Sequence, residues 1–275
     1  NMSVRPAWWL AVLARIWPLT WISARMTRWP IVGRAVAWGS LPLFTGKNLN
    51  ITYLPVNEEA GGSASTLLPR QVVEALIRRS SHRVLINRCT CRDAKSCRRH
   101  PVTMGCTLLG EGTKEIDPRI ARHVTVEEAL AHLEAALREG LIPMTGRVRI
   151  DNFIWGVKDR GKLLTICYCC RCCCTIMNSG RYLPAEAQAA IHPLAGLAIT
   201  VDPDLCVRCG ACVEECFMGA IRLEGGGIVH DAALCKGCGR CAAVCPQAAV
   251  RVAVADVERA VAELMGRIDS LVRYE

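Results

Sequence analysis

Residues 206–216 read CVRCGACVEEC, and residues 235–245 read CKGCGRCAAVC. The four cysteines of the first segment recur in the second, each 29 residues later. Short apolar runs accompany both copies, at residues 199–201, 228–230 and 250–254. This repeat predicts two copies of one small unit, related by a pseudo-twofold axis.

The spacing within each copy, C-x2-C-x2-C-x3-C, indicates what the cysteines bind. Three closely spaced thiolates hold three corners of a cubic iron–sulfur cluster, and in the bacterial two-cluster pattern the fourth cysteine ligates the other cluster. Zinc sites instead use two C-x2-C pairs, so the spacing favours iron over zinc. We therefore predict two [4Fe–4S] clusters with exchanged fourth ligands. The first has Cys206, Cys209, Cys212 and Cys245 as ligands, and the second has Cys235, Cys238, Cys241 and Cys216.

Cysteine content limits the class of protein, because 18 of the 275 residues are cysteine. Extracellular disulfide scaffolds reach such a density, but they are short and follow a secretory signal. Here the apolar start is interrupted by Arg5 and Arg15 and has no clean cleavage site. We therefore expect reduced, metal-binding thiols in the cytoplasm. Since no dinucleotide or phosphate loop is present, flavin or nicotinamide chemistry would need another subunit.

A first group of cysteines lies upstream of the repeat, at Cys89, Cys91, Cys97 and Cys106. Four thiolates suffice for one [4Fe–4S] cluster, although the same four could bind zinc. Between residues 78 and 99 there are eight basic residues and one acid. Positive charge stabilises a reduced, anionic cluster, so we predict iron here. Since this stretch has no aromatic residue for base stacking, we predict no nucleic-acid binding.

A second group has six cysteines in eight residues: Cys167, Cys169, Cys170, Cys172, Cys173 and Cys174. Neighbouring side chains of an extended chain point in opposite directions, so adjacent cysteines can serve different clusters. The ten upstream cysteines could hold two [4Fe–4S] clusters with two thiols to spare, or one cubane and one larger cluster. The predicted total is up to four clusters, and four or more of the six cysteines are expected to be ligands.

These upstream cysteines resemble those of a group of cysteine-rich ferredoxin-type iron–sulfur proteins found mainly in anaerobes. The pattern there is C-x-C-R, a later C with a following proline, C-L-x-x-G, a short helical segment, C-N-C-C-G-C-C-C and a two-cluster ferredoxin. The first part is matched by Cys89, Cys91, Arg92, Cys97, Pro101, Cys106 and Gly110, and the second by all six cysteines of residues 167–174. Tyr168 and Arg171 replace the usual asparagine and glycine. The resemblance covers about residues 85–250 and implies an electron-transfer subunit of a larger oxidoreductase complex.

Residues 1–57 differ from the rest of the chain. They hold six of the seven tryptophans, several arginines and no acidic residue. Apolar residues at helical spacing, divided by Pro18, Pro30 and Pro42, predict short amphipathic helices. Tryptophan and arginine on such helices suit a membrane surface. They also suit docking to a protein partner, and packing in the protein's own core is a third alternative.

The expected fold class is α+β, with four parts. These are an amphipathic arm (1–60), a helical cysteine-rich region (61–195) that opens with a glycine-rich join at 61–63, a two-cluster ferredoxin module (196–255) and a C-terminal helix (256–275). Helices are predicted from Pro69 to about Arg79, after the capping box of Thr125 and Glu128, and after Asp256.

The sequence thus predicts a relay that passes single electrons between a redox partner, for example a flavoprotein, and another carrier or the membrane quinone pool. It would be a peripheral subunit at the inner face of the membrane, without catalytic residues or an organic cofactor site. An alternative is an enzyme in which a non-standard cluster at residues 167–174 reduces a substrate or a disulfide. A third class, a nucleic-acid-binding sensor, lacks a recognition element.

Overall fold

The structure is a computed structural model that describes residue 5 and residues 7–30, 32–40, 47–55 and 68–275. The expected join at 61–63 and the break at Pro42 lie outside these residues. The N-terminal part contains α1 (Ala7–Ile16), α2 (Pro18–Met26), α3 (Val32–Ser40), β1 (Leu49–Tyr53), α4 (Leu68–Arg79), β2 (Arg83–Ile86), α5 (Thr90–Ala94), β3 (Thr107–Leu109) and β4 (Ala121–His123). It is followed by α6 (Val126–Arg138), β5 (Ile142–Val148), α7 (Arg149–Trp155), β6 (Leu164–Cys169), α8 (Thr175–Ser179), α9 (Ala185–Ala189) and β7 (Ile191–His192).

Within the described residues, a seven-stranded sheet organises the cysteine-rich region, with the order β4-β2-β3-β6-β5-β1-β7. All pairs are antiparallel except β1 and β7. The α+β class is therefore confirmed, but the helical region expected from the sequence is built on a sheet that was not predicted. The pairing of Thr107 with Ile166 places β3 directly beside β6, so the two upstream cysteine groups meet in space.

One core lies between this sheet and the helices α4, α6 and α12, where α12 is Val257–Leu271. All three begin within one residue of the predicted start, but α12 ends at Leu271 and does not reach residue 275 as expected. Thr125 and Glu128 form the predicted capping box, and Asp256 accepts a hydrogen bond from the main-chain N–H of Arg259. Leu76 of α4, Leu133 of α6 and Leu264 of α12 lie in this core and are nearly inaccessible.

The N-terminal segment packs on the protein's own body. Leu13 of α1 is 3% exposed and packs in a core cluster with Ile154 and Trp155. Helix α1 contacts α5, and α2 contacts α8. Strand β1, which lies inside the range predicted as an arm, pairs with β5 and β7. The last part of that range therefore belongs to the central sheet.

The repeat forms β8 (Leu197–Val201), α10 (Ala211–Glu215), β9 (Ile221–Glu224), β10 (Gly227–His230), α11 (Arg240–Ala243) and β11 (Val250–Val254). β8 pairs with β11, β9 pairs with β10, and α10 packs against α11. Left-handed backbone recurs at equivalent places, at Arg208 (φ 56°) and at Gly237 (φ 68°) 29 residues later. At Gly237 a Cβ atom would lie 2.9 Å from Leu197 Cδ1, so a larger residue there would displace the leucine side chain.

The described helices are all short relative to a bilayer. Within the part of the chain that the structure describes, no helix is both long enough and apolar enough to span a membrane.

Candidate iron–sulfur centres

Two cavities in the ferredoxin module are lined by four cysteines each. One is bordered by Cys206, Cys209, Cys212 and Cys245, and the other by Cys216, Cys235, Cys238 and Cys241. Each cavity thus receives three cysteines from one copy of the repeat and the fourth from the other copy. The structure brings together the same two sets that the spacing predicts, while their role as ligands stays a prediction.

Main-chain donors point at the sulfurs of these cavities. The N–H of Ala220 lies 3.2 Å from Cys216 Sγ, and the N–H of Ala249 lies 3.2 Å from Cys245 Sγ. The two contacts are 29 residues apart and therefore equivalent in the repeat. Hydrogen bonds to the sulfurs are one of the means by which proteins tune cluster potentials.

The electrostatics of the module fit a bound cation. Burial raises the pKa of Cys238 and of Cys241 to about 12, so these thiols are neutral at pH 7 unless iron replaces the proton. Lys236 is also buried, beside Cys235, and its charge can offset the negative charge of thiolates. Four sulfur donors around each closed space suit a [4Fe–4S] cluster.

Upstream, four cysteines form a compact group that we call the tetrad. The Sγ atoms of its members all lie within 4.8 Å of one another. Cys97 Sγ is 3.8 Å from Cys172 Sγ, which is 3.6 Å from Cys173 Sγ. The members are Cys97, from the segment after α5, and Cys170, Cys172 and Cys173, from the segment between β6 and α8.

Six further cysteines line a larger cavity, which we call the chamber. Its volume is about 130 Å³, and its walls are mostly apolar. Cys106 Sγ is 3.1 Å from Cys167 Sγ, and Cys174 Sγ is 3.4 Å from Cys169 Sγ. The six are Cys89, Cys91, Cys106, Cys167, Cys169 and Cys174, and Cys170 of the tetrad also reaches the wall.

This grouping differs from the one expected from sequence. Cys97 was grouped with Cys89, Cys91 and Cys106, but it lies in the tetrad and does not line the chamber. The physical reason is the β3–β6 pairing, which sets the two segments side by side. Because Cys167 and Cys169 alternate with Tyr168 along β6, they share one face of the strand, and Cys106 opposes Cys167.

Arg92 is 1% exposed and lines the chamber. Its Nη1 donates to the main-chain oxygen of Tyr168 at 2.9 Å, and its Nη2 donates to that of Met104. No carboxylate pairs with it among the described residues, and its Nε has no partner there. Burial lowers the pKa of Arg92, but the negative charge of Cys89 and other thiolates outweighs this effect and raises it. A buried cation of this kind requires a negative partner, which the cysteines supply.

Sequence reasoning missed Asp151, a half-buried acid in the chamber wall. It accepts a hydrogen bond from Thr165 Oγ1 at 2.7 Å. Burial raises the pKa of Asp151 to about 7, and the bond from Thr165 offsets only part of that effect. The only signal in the sequence is a single acid inside the apolar segment RIDNFIW.

The N-terminal helices close the chamber on one side. Trp17 and Thr20 line it, and Trp17 Nε1 donates to Thr175 Oγ1 at 2.6 Å. Thr175 Oγ1 is in turn 3.2 Å from Cys91 Sγ. The predicted arm therefore contributes directly to the surroundings of the upstream cysteines.

Aromatic side chains connect the chamber with the ferredoxin module. The Tyr53 hydroxyl lies 4.0 Å from Cys174 Sγ, and the Tyr53 ring packs edge-on against Phe217 with centroids 5.6 Å apart. Phe217, which stands where the usual pattern has proline, directly follows Cys216. One core cluster includes Cys169, Cys174 and Phe217, with Cys216, Cys235 and Cys238 packed against it. The centres are thus joined by buried protein rather than separated by solvent.

Comparison with known proteins identifies the repeat. Residues 199–222 and 228–251 each match the family described as the 4Fe-4S binding domain. Searches of curated proteins and of solved structures found no significant match. Residues 199–251 therefore contain two ferredoxin-type 4Fe-4S binding domains, and these domains imply iron–sulfur electron transfer.

Proposed function

We propose that this protein is the electron-transfer subunit of an oxidoreductase complex. It relays single electrons between a redox partner, such as a flavoprotein, and a second carrier or the membrane quinone pool. The observation that carries the proposal is the continuity of buried side chains from the module to the chamber through Phe217 and Tyr53. When bound, the clusters accept and release single electrons, and the protein holds and tunes them.

The module offers a place for electrons to enter or leave. Cys209 is exposed, and beside it Leu205 and Val207 are exposed apolar side chains. In the other cavity none of the four cysteines is exposed. This difference supports an order in which the surface centre meets a partner and the inner centre passes electrons to the upstream cysteines.

The outer face of α1 and α2 supports attachment to a membrane. Leu13 and Ala24 face inward, while Trp8 (64% exposed), Val12 and Leu19 face outward. A helix that is apolar on two sides needs a second partner besides its own core. Arginines accompany this face and acids are lacking, so an anionic lipid surface is complementary in charge. The protein would then be a peripheral subunit at the cytoplasmic side of the membrane.

Anoxic redox cycling tests the proposed function. A photoreduced flavin would supply single electrons to the purified protein, and a water-soluble quinone would remove them. We expect absorbance and paramagnetic resonance to show reversible reduction, with no loss of iron over repeated cycles. Clusters that stay oxidised, or that lose iron on reduction, would rule out the relay.

A reductase activity of the chamber is the second candidate function, and one observation favours it. Asp151 is a half-buried acid whose pKa is raised by burial to about 7, in a mostly apolar cavity that six cysteines also line. Such an acid could deliver a proton to a bound substrate. Turnover of a small disulfide by the reduced protein, lost in Asp151→Asn with iron content intact, would favour this candidate over a pure relay.

A further inference from the structure

The ten upstream cysteines are divided unequally, into the tetrad and the chamber. We propose that the chamber binds one iron–sulfur cluster larger than a cubane, with all six of its cysteines as ligands. The tetrad then forms a separate four-thiolate metal site. This proposal rests on the proposed function and deepens it, because it specifies one centre of the same relay.

Ligand number is the first argument. A cubane presents four iron corners, and each takes one terminal thiolate. The tetrad has the four ligands of one such cluster within a compact space, since its sulfurs lie within 4.8 Å of one another. The chamber has two cysteines more than a cubane can use. A cluster with more iron sites would use all six.

The arrangement of the six sulfurs is the second argument. They reach the cavity from separate elements: the start of α5, the residue before β3, the strand β6 and the residue before α8. Neighbours around the wall are close, as shown by Cys106 with Cys167 and by Cys174 with Cys169. Cys91 also interacts electrostatically with both Cys89 and Cys174, and Cys89 with Cys106, so all six sulfurs are neighbours around one space. Sulfur atoms distributed around the wall of one cavity suit a single cluster that occupies that cavity.

Charge and solvation are the third argument. Six thiolates around one space would need compensating positive charge. Iron would supply the compensating charge, and the buried guanidinium of Arg92 would balance an anionic cluster. Apolar walls that include Trp17, Ile154 and Trp155 exclude a hydrated ion.

The test compares iron content in anoxically purified full-length variants. Cys106→Ser/Cys169→Ser removes two chamber ligands from different walls, and Cys97→Ser/Cys172→Ser is the matched control in the tetrad. The chamber variant should lose more than about four iron atoms per chain, and the tetrad variant about four at most. Mössbauer spectra should show that each of the six chamber cysteines, changed singly to serine, alters the same spectral component.

Three results would overturn the proposal. They are a loss of four or fewer iron atoms in the chamber variant, two chamber cysteines whose replacement leaves every component unchanged, and zinc instead of iron in the wild-type chamber. If the variants fold poorly, the iron content of the wild-type protein provides an independent test. Four cubanes would amount to about 16 iron atoms per chain. More iron than that would support the larger cluster. Failure of redox cycling with iron content as expected would reject the relay and leave this proposal standing.

Discussion

The guanidinium of Arg92 is held inside the protein by two main-chain carbonyls, those of Tyr168 and Met104. These neutral acceptors do not balance its charge, and a lone buried ion costs several kcal/mol. The thiolates of the chamber, or a cluster bound to them, provide the missing negative charge. The positive charge of Arg92 therefore raises the electron affinity of a cluster bound in the chamber.

Replacing this charge should change a reduction potential. In Arg92→Met we expect the potential of the chamber centre to fall, because the more negative, reduced state loses its nearest buried cation. A redox titration followed by paramagnetic resonance measures the shift. Arg88→Met is the matched control, since Arg88 is half-exposed and already paired with Asp93 at 2.6 Å. An equal shift in both variants would show that general surface charge, not burial of Arg92, sets the potential.

At the scale of elements, helices were easier to predict than strands. α4, α6 and α12 show a 3.6-residue apolar period over 12, 13 and 15 residues, with caps that mark where α6 and α12 begin. Strands β2, β3 and β4 have only four, three and three residues, and β3 is buried throughout. Such short segments show no alternation of polar and apolar residues. The central sheet depends on pairing between distant segments, which periodicity does not reveal.

Contacts between distant segments also decide how much of the candidate site could be predicted from the sequence. All the cysteines of the candidate centres were identified from the sequence. The two sets of four in the ferredoxin module follow from the cysteine spacing, because their members lie close together in sequence. The division of the upstream ten depends on β3 lying beside β6, a contact between residues about 60 positions apart, as between Cys106 and Cys167. Arg92 and Asp151 gain their importance only from their positions in the chamber wall, which that pairing creates.

The exchange of fourth cysteine ligands between the two copies of the repeat can be tested by single substitutions. In Cys216→Ser the centre formed with Cys235, Cys238 and Cys241 should lose most of its signal, because Cys216 lines that cavity. The centre of Cys206 should keep its signal, although Cys206 is nearer in sequence. Paramagnetic resonance of the reduced variant measures both. Selective loss of the Cys206 centre would show that each copy of the repeat binds its own cluster. Cys245→Ser is the reciprocal control and should give the opposite pattern.

At the scale of the whole molecule, the N-terminal segment has two roles. Its inner side completes the chamber through Trp17, and β1 completes the central sheet. Deletion of residues 2–57 would therefore remove buried Ile51 and Tyr53 along with the helices, and would not be a clean test of attachment. Substitutions on the outer side separate the two roles, because they leave the buried contacts in place.

Vesicles of phosphatidylglycerol provide the measurement of membrane attachment. Each large apolar side chain buried in the interface contributes about 1.5–3 kcal/mol, so Trp8→Ser/Leu19→Ser should weaken binding at least about tenfold without loss of iron. Added salt should weaken binding by the intact protein as well, since the arginines of the segment act through screened charge. Leu223→Ser is the matched control, because Leu223 is 51% exposed but lies in β9 of the ferredoxin module. If the intact protein does not bind these vesicles, or if the control weakens binding equally, the outer face is not a lipid-binding surface. It would then be a docking surface for a protein partner, which tryptophan and arginine suit equally well.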